Sequence, residues 1–131
     1  MSECAPVCRK LEGHTALITG GDSGIGRAVA YASAKEGANV AIAYYGEETD
    51  ATKTEARVTE LGAKCLLLRG DLKDPGAAKR CVAQTVQRFG GLDILVNNHA
   101  VQYIKRSILD ITSGQLSCVF QTNVFSYFYL I

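Results

Sequence analysis

The sequence lacks an excess of either charge. Its 14 Lys and Arg face 13 Asp and Glu, for a net charge of +1, and the basic residues are scattered. That gives no electrostatic case for a nucleic-acid partner or an anionic membrane surface. No apolar run approaches the length of a bilayer span, and the opening "MSECAPVCRKLEG" has no apolar signal core. A cytoplasmic protein is the expectation, with an organelle as the alternative; as a transit peptide the arm is short and carries Glu3. There is no internal repeat and no low-complexity tract. Cys4, Cys8, Cys65, Cys81 and Cys118 include no C-x-x-C pair, which speaks against a zinc or thioredoxin-type site, and no metal ligands are assigned. Cys65, Cys81 and Cys118 fall in apolar periodic segments and read as small core residues. Cys4 and Cys8 fall in an N-terminal arm, 1–12, expected to be mobile.

What is present is a composition of 47% hydrophobic and 21% charged residues over 131 positions, ordinary for one globular domain, placed at 13–131. Apolar runs alternate with helical patterns. "HTALIT" (14–19), "NVAIAY" (39–44), "KCLLLR" (64–69) and "DILVN" (93–97) read as strands. Between them lie a helix from Gly24 closed by Gly37, a polar helix over 47–61 ended by Gly62, and a helix that Asp74-Pro75 starts and Phe89 ends. Thr112 and Gln115 have capping-box spacing, and the helix behind them is expected to run on to the last residue. Continuous apolar strands joined by helices imply an α/β fold: a Rossmann-like parallel sheet of four strands with flanking helices. An open sheet of this kind would normally continue after the last helix.

"TGGDSGIG" (19–26) lies at the first strand-to-helix turn. Backbone N–H groups and the helix dipole favour an anion there, and glycine lets the backbone approach it. A P-loop reading fails, because Arg27 and Ala28 replace the lysine and the hydroxyl. The G-x-G-x-x-G fingerprint also fails, since Val29 stands at its third glycine. The spacing that fits is Thr19-Gly20-x-x-x-Gly24-x-Gly26. It resembles the short-chain dehydrogenase/reductase family, and further features follow in family order: Asp71-Leu72 after the third strand, Asn97-Asn98-His99-Ala100 after the fourth, where the family has Asn-Asn-Ala-Gly, and Asn123 in the next helix. The resemblance spans 11–131 and is strongest to the aldehyde-reductase and glucose/ribitol-dehydrogenase-like branch. It implies the strand order 3-2-1-4, truncated relative to the full fold.

The resemblance implies cofactor binding through Gly20, Asp22, Ser23, Gly24, Ile25 and Gly26 of the turn, with Asp71 and Leu72 near the adenine and Asn98 at the fourth strand. An acid at the end of strand two would favour NAD(H). Tyr44 stands there instead, so NADP(H) is favoured, with NAD(H) as the alternative; Arg27 is a candidate charge for the 2′-phosphate. Family members that prefer NADP carry a basic residue where Ser23 stands. Asp22 is read as an exposed turn residue pointing outward.

Of the family's catalytic groups only Asn123 has a counterpart, as the asparagine of a proton relay. The serine and the Tyr-x-x-x-Lys pair belong to a region beyond these residues. Tyr31 and Lys35 have the pair's spacing but lie on the first helix, remote from the nicotinamide. His99, in place of alanine, reads either as a substitute acid/base or as a larger side chain that is tolerated or disturbs the cofactor. The chain is thus read as the NADP(H)-binding half of a carbonyl/alcohol oxidoreductase, not catalytic as it stands. The alternative is a truncated interaction protein using an exposed strand edge or its last helix. A homo-oligomer, or another chain across that edge, is the expected partner.

Overall fold

The computed structural model describes residues 9–46 and 48–131. Glu3, Cys4 and Cys8, and Glu47 at the start of the helix expected over 47–61, lie outside them. Residues 9–13 form a turn tied to the end of the first helix: Leu11 N donates to Glu36 O at 2.9 Å, and Lys10 N to the Glu36 carboxylate at 3.1 Å.

The strands are β1 (Thr15–Thr19), β2 (Asn39–Tyr44), β3 (Cys65–Arg69) and β4 (Ile94–Val96). The helices are α1 (Gly24–Lys35), α2 (Glu48–Glu60), α3 (Pro75–Phe89), α4 (Ser113–Phe120) and α5 (Ser126–Leu130). The sheet is parallel, in the order β3-β2-β1-β4, as the resemblance implied. Tyr44 pairs with Arg69, and Ile18 with both Ile42 and Val96.

Alternation along the strands sorts the core into two layers. Ala16, Ile18, Val40 and Ile42 pack with Ala30 and Ala34 of α1 and Val58 of α2. Leu17, Ala41, Ala43 and Leu68 face the other way, against Ala78 and Cys81 of α3 and Leu130 of α5. Each fully buried Leu or Ile contributes about 2 kcal/mol. The direction of strand addition reverses between β1 and β4, and in open α/β sheets the crevice at such a switch is where ligands bind.

Two local differences from the sequence reading stand out. A 3₁₀ turn, Ile108–Asp110, capped by Ser107, precedes α4. The last helix is not uniformly α: a π turn, Gln121–Phe125, joins α4 to α5. Ser126 Oγ donates to Thr122 O at 2.5 Å inside this segment, a back-bond of the kind that bends helices.

Candidate functional site

The C-terminal ends of all four strands open into one cleft of about 970 Å³, within the range of small-molecule sites. Gly20, Asp22, Ser23, Gly24 and Ile25 line it from the first turn, Tyr44 from β2, Asp71 and Leu72 from the end of β3, and Asn98 from the end of β4. Gly26 and Asn123 do not line it.

The turn is built on close approach. Thr19 Oγ1 accepts from Asn98 N at 2.9 Å, and Gly20 N donates to Ala43 O at 2.8 Å, which ties β1, β2 and β4 together at the cleft floor. A Cβ on Gly26 would stand 2.2 Å from Gly20 O and 2.6 Å from Asn98 Nδ2, so only glycine lets α1 begin here. Gly24 differs. Its φ is +55°, a conformation that disfavours side chains, yet a Cβ there would meet nothing within 4 Å.

Helix α1 starts without help. Ser23 is extended, its side chain caps nothing, and no acid stands in the first turn. By contrast, Asp74 caps α3 at Gly76 N, and Thr112 and Gln115 form a full capping box on α4. The leading N–H groups of α1 thus have no side-chain acceptor, and Gly24 leaves space in front of them. This arrangement fits a diphosphate: a partner for the amides and the dipole, seated in a cradle that a Cβ would fill.

A family model described as short chain dehydrogenase matches residues 14–131. The chain belongs to the short-chain dehydrogenase family. It is 56% identical over 121 residues to General stress protein 39 of Bacillus subtilis, spanning 92% of this chain and 42% of that protein. With the chloroplastic NADPH-dependent aldehyde reductase 1 of Arabidopsis thaliana it shares 46% identity over 127 residues, again 92% of this chain and 44% of the relative. A short chain dehydrogenase from Burkholderia cenocepacia, solved in complex with NADP, superposes with a TM-score of 0.88 at 36% identity, covering 92% of this chain and 49% of that one. The chain therefore spans less than half the length of these relatives.

Within this family frame, several assignments shift. Asp22 does not point outward. It is half-buried, lines the cleft, and its Oδ2 would sit 3.7 Å from a Cβ on Gly46. Arg27 is not free for a phosphate. Its guanidinium donates to Asp22 O at 2.5 Å, Asp50 O at 3.1 Å and Thr54 Oγ1 at 2.9 Å, pinning α2 to the glycine turn. Tyr31 packs beside the α1–α2 core layer and, like Lys35, lies away from the cleft. Past the end of β3, Lys73 Nζ pairs with Asp71 Oδ2 at 3.3 Å, and that carboxylate holds the ammonium above its ordinary pKa.

His99 lines the cleft, but its ring is committed. Nδ1 lies 2.6 Å from Thr19 Oγ1, and Nε2 lies 2.5 Å from Ser126 Oγ. Thr19 Oγ1 also accepts from the Asn98 and His99 amides and donates to Val96 O at 3.1 Å. Ser126 gives its proton to Thr122 O, so its oxygen accepts from Nε2–H. Each ring nitrogen is therefore tied to a hydroxyl. Burial also lowers the pKa of His99. Tyr127 completes the fixation: its ring meets His99 edge-on at 4.8 Å and its hydroxyl donates to His99 O at 2.6 Å. The geometry is that of a structural bracket between β1 and α5, not of a free acid.

A pH dependence follows. Below about pH 6.5, the ordinary histidine value, the unfolded chain takes a proton that folded His99 refuses. His99 therefore leaves stability undiminished above that pH and lowers it as pH falls from there toward the depressed folded value. Urea midpoints should drop between pH 7.5 and 5.5, and His99→Gln should flatten that drop. An unchanged pH slope in the variant would show that His99 ionises freely.

Asn123 sits in the π turn. Its Oδ1 accepts from Val101 N at 2.8 Å and its Nδ2 donates to Val101 O at 2.7 Å, so it clamps the loop that forms one cleft wall. Cys118 is the cysteine the sequence misread. It is half-exposed at the cleft, where the Tyr103 hydroxyl donates to its sulfur at 3.5 Å and holds the thiol below its ordinary pKa. Cys81 is buried, as expected, and burial pushes the Cys65 thiol up to about 12. Thr122, Tyr103 and Cys118 are cleft residues the sequence reading did not select. The four-residue spacing of Cys118 and Thr122, one helical turn apart, was the available signal.

Proposed function

We propose that this chain is the NADP(H)-binding half of an oxidoreductase that moves a hydride between the nicotinamide and a carbonyl or alcohol carbon. The observation that carries it is the uncapped start of α1, opening through Gly24 onto the cleft. Gly20, Ser23, Gly24 and Ile25 would hold the pyrophosphate, Asp71 and Leu72 the adenine, and Asn98 the far ribose. Tyr44 in place of an acid, and the NADPH named for the Arabidopsis relative, favour NADP(H) over NAD(H). Asn123 would keep the cleft wall in place and serve the family's proton relay. When bound, the cofactor would supply the hydride. The family's serine and Tyr-x-x-x-Lys pair have no counterparts among the residues after Asn123, so the test reads binding rather than turnover.

NADPH fluorescence should change saturably on titration with the chain. Gly24→Ala adds a methyl group in front of the α1 amides and should weaken binding at least about tenfold, as expected for loss of charge-assisted hydrogen bonds. Left-handed strain should cost about 1 kcal/mol of stability. A variant that is folded and binds as tightly as the parent would remove the turn from the site.

A second reading has its own observation. Strand β4 stands at the sheet edge, and Asn97 Oδ1 at its end is buried with no hydrogen-bond partner among the described residues. Phe120, Phe125 and Phe128 of the last helical segment are 46–71% exposed. Such an edge and face suit a protein partner, a second copy of the chain included. A stable stoichiometric complex without dinucleotide affinity would favour this reading. No described helix is long and apolar enough to cross a membrane; we place the protein in the cytoplasm.

A further inference from the structure

We infer that Arg69 is the side chain that receives the 2′-phosphate of NADP(H) and so sets the choice between the two dinucleotides; the inference rests on the dinucleotide-binding reading above. Three cations flank the glycine turn and the end of β3, and two are committed. Arg27 is spent on Asp22 O, Asp50 O and Thr54 Oγ1, and Lys73 on Asp71. Arg69 ends β3 immediately before Gly70 and Asp71, which line the cleft. It is exposed, and among the described residues its guanidinium takes neither an ion pair nor a hydrogen bond.

Its placement is set by register. Arg69 pairs with Tyr44 across β2 and β3, strands about 4.8 Å apart. Tyr44 follows Val40 and Ile42, and Arg69 follows Cys65 and Leu67, on the same face of the sheet. The guanidinium therefore stands beside the residue that occupies the place of the ribose-binding acid. Its charge is felt there: Arg69 opposes the upward push that burial and Glu48, Asp22 and Glu55 exert on the Tyr44 phenol.

Those carboxylates make the cation necessary. Asp22 lines this end of the cleft, and Glu48 opens α2 next to it. A dianionic 2′-phosphate entering there meets repulsion that a guanidinium can offset with paired N–H donors. NADH carries only hydroxyls at that point and needs no such partner.

The test titrates NADPH, NADH, 2′,5′-ADP and 5′-ADP against the parent chain and its Arg69→Ala and Arg69→Lys variants, with thermal melting as the folding control. Arg69→Ala should weaken NADPH and 2′,5′-ADP about 10- to 100-fold and leave NADH and 5′-ADP within about twofold. It should also reduce the salt dependence of NADPH binding, while Arg69→Lys should retain part of the preference. NADPH affinity that survives Arg69→Ala would overturn the assignment, as would equal losses for NADPH and NADH, and either result would leave the dinucleotide site standing. A folded parent that binds none of the four ligands would overturn the dinucleotide reading and this inference with it.

Discussion

Gly26→Ala is expected to be the most damaging single methyl group in the chain. The new Cβ would stand 2.2 Å from Gly20 O, a distance that side-chain rotation cannot relieve because Gly26 and Gly20 are both held by backbone. Either α1 lifts from the end of β1 or the turn opens. Lifting α1 exposes the layer in which Ala30 and Ala34 meet Ile18 and Ile42. Opening the turn costs the bond from Gly20 N to Ala43 O. A loss of about 3 kcal/mol or more is expected, at the upper end of overpacking effects. Equilibrium denaturation in urea measures it, and dinucleotide binding should disappear with it. Gly24→Ala, two residues away, should be far milder in stability and should act on binding. If the two variants destabilise equally, the distinction between a packing glycine and a cradle glycine is wrong.

The contrast between these glycines shows where sequence reasoning reached and where it stopped. Both belong to one motif, and the motif placed the turn, the strand before it and the helix after it. The β-α alternation and the strand bounds were legible because β1 and β2 are buried on both faces, β3 is largely half-buried, and all three read as continuous apolar runs. Pro75 and Asp74 marked the start of α3 because capping chemistry is local. What was not legible depends on contacts far apart in sequence. Arg27 looked available for a phosphate until Asp50 and Thr54 of α2 claimed it. Asp22 looked outward until β2 and Gly46 folded alongside it. The π turn follows from polar side chains bonded to the loop beyond β4, which no helical periodicity encodes. His99 was open to two readings for the same reason: its role is fixed by Thr19 and Ser126, one on either side of it in the sequence and both remote.

Asn123→Leu should produce the other large effect. The leucine is similar in size but makes neither bond to Val101. Both the N–H and the C=O of Val101, a half-buried residue opening an exposed loop, then lose their partner. Orphaning a buried backbone group costs about 1–3 kcal/mol, and partial solvent access places the pair at about 2 kcal/mol in total. Asn123→Asp separates the two bonds. Its carboxylate still accepts from Val101 N but sets a second oxygen against Val101 O, so roughly half the loss should remain. Because Val101 lines the cleft, the leucine variant should also weaken NADPH more than its melting temperature alone accounts for, through a displaced wall rather than a lost ligand contact. Urea midpoints for both variants, with NADPH titration at a temperature where each is fully folded, give the two readouts. Equal stability of parent and Asn123→Leu would mean that the loop finds other partners, and that the π turn is held by Ser126 and the His99 bracket instead.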